Sequence, residues 1–248
     1  MVQIDIKKVD NFVNTNIEMF HNNRLKSLEN INLKKILKQK NPYLYKAKNI
    51  SLASQFITEI LEAFLSSSEE KLFGDFLEEL AIFISSLTYN GTKSSTTGID
   101  LVFDNNNIHY LISVKSGANW GNSSQHQKQE TDFKKAVAVL KQSSHTLNVQ
   151  PVLGICYGKT KTSYLNGYMK VVGQNFWYLI SGNESLYTDI IEPIGYEAKK
   201  HNENFIKKKD QIINQFTAEF LKEFYNNGII DWKKLVEYNS GNLDLKIL

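Results

Sequence analysis

The chain has 248 residues, of which 42% are hydrophobic, and its formal net charge is only +3. These values suit a globular protein of one large domain and exclude a chain of strongly one-sided total charge. Cys156 is the only cysteine, which excludes an intrachain disulfide and a cysteine-built zinc site. The stretch "MVQIDIKKVDNF" lacks the apolar core of a signal peptide, and no apolar run is long enough to span a bilayer. We therefore expect a soluble, cytoplasmic protein.

The charges are unevenly distributed along the chain. Residues 1–50 contain ten basic residues against four acidic ones, and the stretch from there to Asp104 is acidic. A basic arm beside an acidic cluster suits an anionic partner next to a cation-dependent site, although a solvated basic helix explains it about equally well. Because Arg24 is the only arginine, any guanine contact must rely on lysine, amide or backbone groups.

Hydrophobic periodicity predicts helices first, then a hairpin, a helix, a strand and further helices. The first part of the chain is expected to form an amphipathic helix over about 11–40, a turn at 40–49 stopped by Pro42, and helices at about 51–66 and 69–87 with a cap at Ser68. Two strands around Asn106 and Asn107 follow, then a helix at about 124–142, a central strand at 149–157 and a weaker strand at 167–173. The last part is expected to be mainly helical from 175 to 200, with a long helix at about 203–226. This order indicates an α/β fold with a small mixed sheet.

The hairpin "GIDLVFDNNNIHYLISVK" has a register set by its turn. Asparagine tolerates the positive φ that two-residue hairpin turns need, so Asn106 and Asn107 are predicted to form the turn. One face then collects apolar residues, namely Ile99, Leu101, Phe103, Ile108, Tyr110, Ile112 and Val114. The other face collects Asp100, Val102, Asp104, His109, Leu111, Ser113 and Lys115.

This register places Asp100 directly opposite Ser113, with Lys115 one step along on the same face. Opposed and diagonal Cβ atoms lie about 4.5–8 Å apart, so the carboxylate and the ammonium can reach one phosphate-sized volume. A purely structural salt bridge is the alternative explanation of the same pair.

The pattern of an aspartate followed by an acid-x-lysine segment resembles the core of the PD-(D/E)XK nucleases, with "GIDL" supplying the aspartate and "SVK" the lysine segment. The stretches "FGDFLEELAIFI", "VKSGANWGNSSQ", "GQNFWYLISGN" and "DIIEPIGYEAK" resemble type II restriction endonucleases of that superfamily, the PmeII-like group in particular. The resemblance covers most of the chain from Asn41 to Asn239. It implies one nuclease domain, 1–248, with helical regions at 1–66 and 181–248 around a catalytic core at 67–180.

One position departs from that pattern, because the acid expected two residues before the lysine is Ser113. A serine hydroxyl is a poor ligand for Mg²⁺, which prefers carboxylates, carbonyls and water. The missing charge could come from elsewhere, the serine could act through a bridging water, or the protein could be inactive. On the preceding helix, the apolar stripe favours Glu79 as the additional acid, whereas the family's spacing from Gly74 favours Glu78, which we choose.

The resemblance implies a homodimer that hydrolyses phosphodiester bonds of double-stranded DNA at a short palindrome with Mg²⁺. Asp100, Glu78 and the Val114 carbonyl would hold the ion, and Lys115 would orient water or stabilise developing negative charge. The ordinary pKa of lysine is too high for a base at neutral pH, which favours the stabilising role. The chain contains no Walker-type phosphate loop, so no nucleotide cofactor is expected.

The segment after the lysine would contact DNA, because glycines allow close approach and a helix N-terminus attracts phosphate. The residues expected there are Ser116, Asn119, Trp120, Asn122, Ser123, Ser124, Gln125 and Lys128. Ordinary helix capping is the simpler explanation for the polar run. His21, His126, His145 and His201 show no ligand spacing.

Two other functions fit the same residues. A structure-specific repair nuclease or junction resolvase would share the chemistry but select branched DNA. A DNA-binding module that has lost catalysis would explain Ser113.

Overall fold

The structure is a computed structural model that describes residues 4–143 and 148–244. Within these residues the helices are α1 (Ile6–Glu29), α2 (Leu33–Gln39), α3 (Pro42–Ala47), α4 (Ala53–Tyr89), α5 (Ser123–Ser143), α6 (Gln174–Ser181), α7 (Leu186–Asp189), α8 (Ile191–Ile194), α9 (Ala198–Phe224) and α10 (Trp232–Ser240). The strands are β1 (Thr92–Lys93), β2 (Leu101–Asn105), β3 (Ile108–Gly117), β4 (Val149–Tyr157), β5 (Ser163–Leu165), β6 (Tyr168–Val172), β7 (Tyr225–Asn226) and β8 (Ile229–Ile230). His145 and the two chain ends, which the sequence analysis used, lie outside the described residues.

The chain divides into two compact units. One comprises the described parts of Met1–Phe20 and Phe73–Tyr196, and the other those of His21–Leu72 and Glu197–Leu248. The second unit is mainly helical, with a core built by α2, α3, α9, α10 and the first part of α4. This division differs from the expected regions at 1–66, 67–180 and 181–248, and a single nuclease domain over 1–248 stays a prediction. No helix among the described residues is both long and apolar enough to cross a membrane.

The first unit is built on a six-stranded mixed sheet in the order β1-β2-β3-β4-β6-β5. β3, β4 and β6 run parallel, whereas β1, β2 and β5 pair antiparallel with their neighbours. The expected α/β fold with a mixed sheet flanked by helices is confirmed, and it is consistent with a nuclease core that carries extra helices. β4 lies inside the sheet, as its continuous apolar run predicts.

Helices cover both faces of this sheet. On one face, the start of α1, the last part of α4 and α6 pack against apolar side chains of β2, β3 and β4. On the other face, Phe133 and Ala136 of α5 pack against Leu111, Leu153 and Ile155. The result is a three-layer arrangement in which the parallel strands all have their carboxyl ends on the same side of the sheet; we call this side the carboxyl edge.

The hairpin turn and register are confirmed. Asn106 and Asn107 have φ values of 49° and 59°, and Leu101 pairs with Ile112 as expected. One facial assignment is wrong, because Ile99 packs with Leu111 and Phe133 and not with the cluster around Leu101. The physical reason is that β2 begins at Leu101, so the strict alternation of an extended strand does not reach Ile99.

Several helix boundaries also differ from those expected. The two helices predicted at 51–66 and 69–87 form the single helix α4, because its serines satisfy their hydroxyls without ending it. Ser67 Oγ donates to the Ala63 carbonyl at 3.2 Å, and Ser68 Oγ bonds Ser27 Oγ at 2.9 Å. Pro42, predicted to stop a turn, instead occupies the first turn of α3, where a missing N–H costs nothing.

Candidate active site

The carboxylate of Asp100 is held by three consecutive residues of β3. Its Oδ2 accepts a hydrogen bond from the backbone N–H of Val114 at 2.7 Å and lies 3.2 Å from Ser113 Oγ. Lys115 Nζ lies 3.5 Å from the same oxygen. The predicted pairing of Asp100 with Lys115 on one side of the hairpin therefore matches the observed geometry.

The ammonium of Lys115 lies where two oxygen groups converge. Its Nζ donates to the Val114 carbonyl at 2.8 Å in addition to its contact with Asp100. The ring centroid of Trp120 lies 5.7 Å from Nζ, a cation–π contact. These contacts hold a cation beside a carboxylate at the carboxyl end of β3.

Glu78 of α4 is electrostatically coupled to this pair. Burial raises the pKa of Glu78, the negative charge of Asp100 raises it further, and Lys93 and Lys115 act in the opposite direction. Glu79, which the helical stripe favoured, is 60% exposed, against 29% for Glu78. Glu78 is thus the less exposed of the two glutamates and lies within electrostatic range of Asp100, while Lys93 Nζ lies 3.6 Å from a carboxylate oxygen of each glutamate.

Ser113 is fully buried and is bonded by a residue that the sequence analysis missed. Gln129 of α5 donates through Nε2 to the Gly98 carbonyl at 2.9 Å, which turns its Oε1 toward Ser113 Oγ at 3.0 Å. Since Ser113 has one hydroxyl proton, it can donate to Gln129 or to Asp100 at any moment but not to both. Gln129 therefore links the segment before Asp100 to the strand that carries Lys115.

A family model described as Type II restriction endonuclease EcoO109I matches residues 7–202. The chain belongs to this family. No curated protein matches it. Membership confirms the expectation of a type II restriction endonuclease, and with it a DNA substrate. The PmeII-like grouping and the superfamily assignment stay predictions.

Type II restriction endonucleases generally use a divalent metal ion. Among residues 4–143 and 148–244 there is no group of three or more histidine, cysteine, aspartate or glutamate side chains that could hold one. Mg²⁺ needs only one or two carboxylates, because water and substrate oxygens complete its shell. The oxygens of Asp100 and Val114 already converge on the Lys115 ammonium, and Asp100 repels the Glu78 carboxylate. This part of the chain therefore offers oxygen donors of the kind that a divalent cation binds.

The loop after Lys115 shows both expected and simpler features. Asn122 accepts the Gln125 N–H at 3.1 Å, and Gln125 Oε1 accepts the Asn122 N–H at 2.9 Å, which is a reciprocal cap of α5. Ser124 Oγ donates to Asn122 Oδ1 at 2.7 Å. The structure leaves Asn119, Ser123 and Lys128 exposed and Ser116 partly buried beside Gly74. Their predicted contacts with DNA stay predictions.

Nothing in the local pattern singles out Gln129, because its role depends on how α5 packs against the sheet. In the structure Gln129 is 6% exposed, whereas its neighbours Gln127 and Lys128 are exposed. An apolar-face analysis of α5 that extended one turn before Phe133 would place Gln129 on the inner stripe, four residues earlier.

We predict that Glu78→Gln changes how stability depends on pH in the absence of divalent ions. A carboxyl whose pKa is raised on folding stabilises the protein fully below its ordinary pKa, and this contribution is lost as the pH rises through the raised value. The variant lacks that loss, so its unfolding free energy should gain on the parent as the pH rises from about 4.5. Chemical denaturation across this range measures the difference. Glu79→Gln is the matched control, and an equal pH-dependent gain in both variants would contradict a raised pKa specific to the environment of Glu78.

We predict that Gln129→Leu destabilises the protein by about 1–3 kcal/mol, because the Gly98 carbonyl and the Ser113 hydroxyl lose a buried partner. The free energy of unfolding in denaturant measures the effect. Gln127→Leu is the control, since it makes the same substitution at an exposed position of α5. Similar losses in the two variants would rule out a special role for the buried amide.

Proposed function

We propose that this chain is a Mg²⁺-dependent type II restriction endonuclease of the PD-(D/E)XK superfamily that hydrolyses double-stranded DNA at a short palindromic site. The observation that carries the proposal is the contact of Lys115 with Asp100, within electrostatic range of Glu78, in a chain of a restriction endonuclease family. The reducing cytoplasm, where we propose that it acts, suits its single buried cysteine, Cys156.

Asp100, Glu78 and the Val114 carbonyl would hold the magnesium ion. When bound, the ion supplies positive charge to the phosphate and lowers the pKa of a bound water. Two carboxylates and one carbonyl match the oxygen ligands that Mg²⁺ prefers. Glu78 thereby supplies, from α4, the negative charge that β3 lacks at Ser113.

Lys115 would stabilise the negative charge that develops on the phosphate oxygens. Its ammonium is already desolvated in part, at 28% exposure, and is oriented by Asp100, Val114 and Trp120. A cation that is fixed before the reaction needs little reorganisation when charge develops, which is the basis of this kind of stabilisation. To face a phosphate, Lys115 exchanges its bond to the Val114 carbonyl for one to the substrate.

Ser113 would act as a positioning residue. Its hydroxyl is fully buried between Asp100 and Gln129, so it helps to fix the position of the Asp100 carboxylate through their hydrogen bond. A carboxylate at this position would lie beside both the Asp100 carboxylate and the Gln129 side-chain oxygen, and both of these oxygen groups would repel its negative charge. Of the three explanations for Ser113, a charge supplied from elsewhere is thus the one that we propose.

The loop from Ser116 to Gln125 would border the DNA backbone, with Asn119, Trp120, Ser123 and Lys128 as contacts. The N-terminus of α5 is already capped by Asn122 and Gln125, so in our proposal these two residues, with Ser124, mainly order the loop. An ordered loop with exposed amide and hydroxyl groups is suited to phosphate contacts.

A short palindrome has twofold symmetry, and a protein that reads it as a unit has the same symmetry. We therefore propose that the enzyme works as a homodimer that places one active site on each strand.

We predict that the protein cuts plasmid DNA into discrete fragments when Mg²⁺ is added and not in EDTA. Lys115→Ala and Asp100→Asn should each lower the cleavage rate by two or more orders of magnitude, because each removes a group at the reacting phosphate. Glu78→Gln should weaken magnesium binding and so shift cleavage to higher Mg²⁺ concentrations, and Glu79→Gln should stay close to the parent. Gel electrophoresis of time courses, with all variants purified identically, excludes a contaminating nuclease.

Other results of the same assay identify the competing functions. Cleavage of branched DNA alone would indicate a junction or repair nuclease. Retained binding of duplex DNA with no cleavage in any divalent ion would indicate a module that has lost catalysis, the outcome that Ser113 and the small number of acidic ligands make worth testing. Either result would contradict the proposal.

We predict a homodimer in solution, with a mass twice the 28.5 kDa of one chain. Light scattering after size exclusion, with and without duplex DNA, measures this mass. A monomer in both conditions would contradict the symmetric arrangement while leaving the cleavage chemistry unaffected.

A further inference from the structure

The second half of the sheet lies in a segment that carries only positive charge. Residues 133–183 contain six lysines and no aspartate or glutamate, in a chain that otherwise contains 26 acidic residues. If the acidic residues were evenly distributed along the chain, about five of them would fall in this stretch. Three of these lysines lie on α5, one lies on β6, and the other two lie in the loop between β4 and β5.

Within this segment, one loop follows the carboxyl end of β4. We call Tyr157–Thr162 the basic loop; its sequence is "YGKTKT", and all six residues are exposed. In the parallel pairing of β3 with β4, Lys115 is opposite Ile155 and Gly117 is opposite Tyr157. The basic loop therefore begins directly beside the loop that follows Lys115, at the same edge of the sheet.

The base of the basic loop is built by close backbone contacts. A Cβ on Gly117 would lie 2.7 Å from the Tyr157 ring, and one on Gly158 would lie 3.1 Å from Ala118 Cβ. Gly158 has a φ of +121°, which side-chain-bearing residues rarely adopt, and so it turns the chain away from β4. The loop after Lys115 and the basic loop thus approach each other closely at two glycines, Gly117 and Gly158, where a larger residue would clash.

The far end of the basic loop is also anchored. Thr162 Oγ1 accepts hydrogen bonds from the Val172 N–H at 3.3 Å and from Asn175 Nδ2 at 3.0 Å. With both ends fixed, Lys159 and Lys161 project from a short and constrained segment. Fixed lysines lose less conformational freedom on binding an anion than lysines on a free tail.

We propose that the basic loop binds the phosphodiester backbone of duplex DNA next to the phosphate that faces Lys115, with Lys159 and Lys161 as the phosphate contacts. This inference rests on the proposed function, because it extends the same DNA path. Each DNA strand presents a phosphate about every 3.4 Å along the helix axis, so a duplex that meets Lys115 carries further phosphates past the neighbouring loop. The absence of acidic residues over 133–183 removes the repulsion that such a path would otherwise meet.

The test measures binding of a labelled duplex of arbitrary sequence, in EDTA, over a series of NaCl concentrations. Lys159→Gln/Lys161→Gln should reduce the slope of log affinity against log salt by about 0.9 for each lysine, and should weaken binding roughly eightfold per lysine at about 0.1 M salt. Lys159→Arg/Lys161→Arg should keep the parent's slope, because it preserves both charges.

Lys141→Gln is the matched control. Lys141 belongs to the same acid-free segment but lies in the last turn of α5, which leads toward the amino end of β4 and so to the opposite edge of the sheet. It should bind like the parent. Thermal unfolding of each variant verifies that the fold is retained.

The possible outcomes separate this inference from the proposed function. If the parent cuts DNA but the double glutamine variant keeps the parent's affinity and salt slope, the basic loop is not a contact and the inference is overturned while the function stands. A parent that binds duplex with the predicted dependence on Lys159 and Lys161 but cuts nothing supports the inference and overturns the nuclease. Equal losses in the Lys141 control would overturn the assignment to this loop.

Discussion

The hydrogen bond from the Val114 N–H to Asp100 Oδ2 is the interaction on which the site depends. β2 begins at Leu101, and just before it the Asp100 N–H still donates to the Ile112 carbonyl at 2.8 Å. The carboxylate of Asp100 accepts the next donor along β3, the Val114 N–H, at 2.7 Å. A bond to the main chain fixes the carboxylate independently of neighbouring side chains. The same register aligns Ser113, Val114 and Lys115 on it, and a slip by one residue would turn Lys115 to the opposite face.

The parts of this arrangement that could be predicted from sequence are those determined by local chemistry. Two asparagines that tolerate positive φ set the turn, and the alternation of apolar residues sets the register from Leu101 to Ile112. The serines of α4 were misinterpreted because a hydroxyl can cap a helix or bond within it, and only the packed structure decides which. Gln129 was missed for a related reason, since its partners Gly98 and Ser113 belong to other elements.

The replacement of an acid by Ser113 has a consequence for how the site is assembled. When both carboxylates come from one hairpin, the hairpin alone sets their distance. In the site that we propose, the second carboxylate, Glu78, comes from α4. This helix approaches the end of β3 one turn earlier, at Gly74, where an added Cβ would lie 3.7 Å from Ser116 Cβ. The spacing of the charges therefore depends on how closely a helix packs against the end of β3, so changes in that contact are expected to alter metal affinity without touching a ligand.

The charge distribution of the chain makes one side of the proposed site negative and the other side positive. The carboxylates, Asp100 and Glu78, precede residue 133, whereas residues 133–183 carry lysines only. β3 and β4 are parallel neighbours, so the carboxylate side of the site adjoins the basic loop that follows β4. A cation is attracted to the first side and a polyanion to the second, and the scissile phosphate must contact both. Lys115 lies at this boundary. Its ammonium can neutralise the negative charge of the carboxylates before DNA binds and that of the phosphate afterwards. The small net charge of +3 therefore hides local regions of opposite charge, and the reaction that we propose needs both signs at one site.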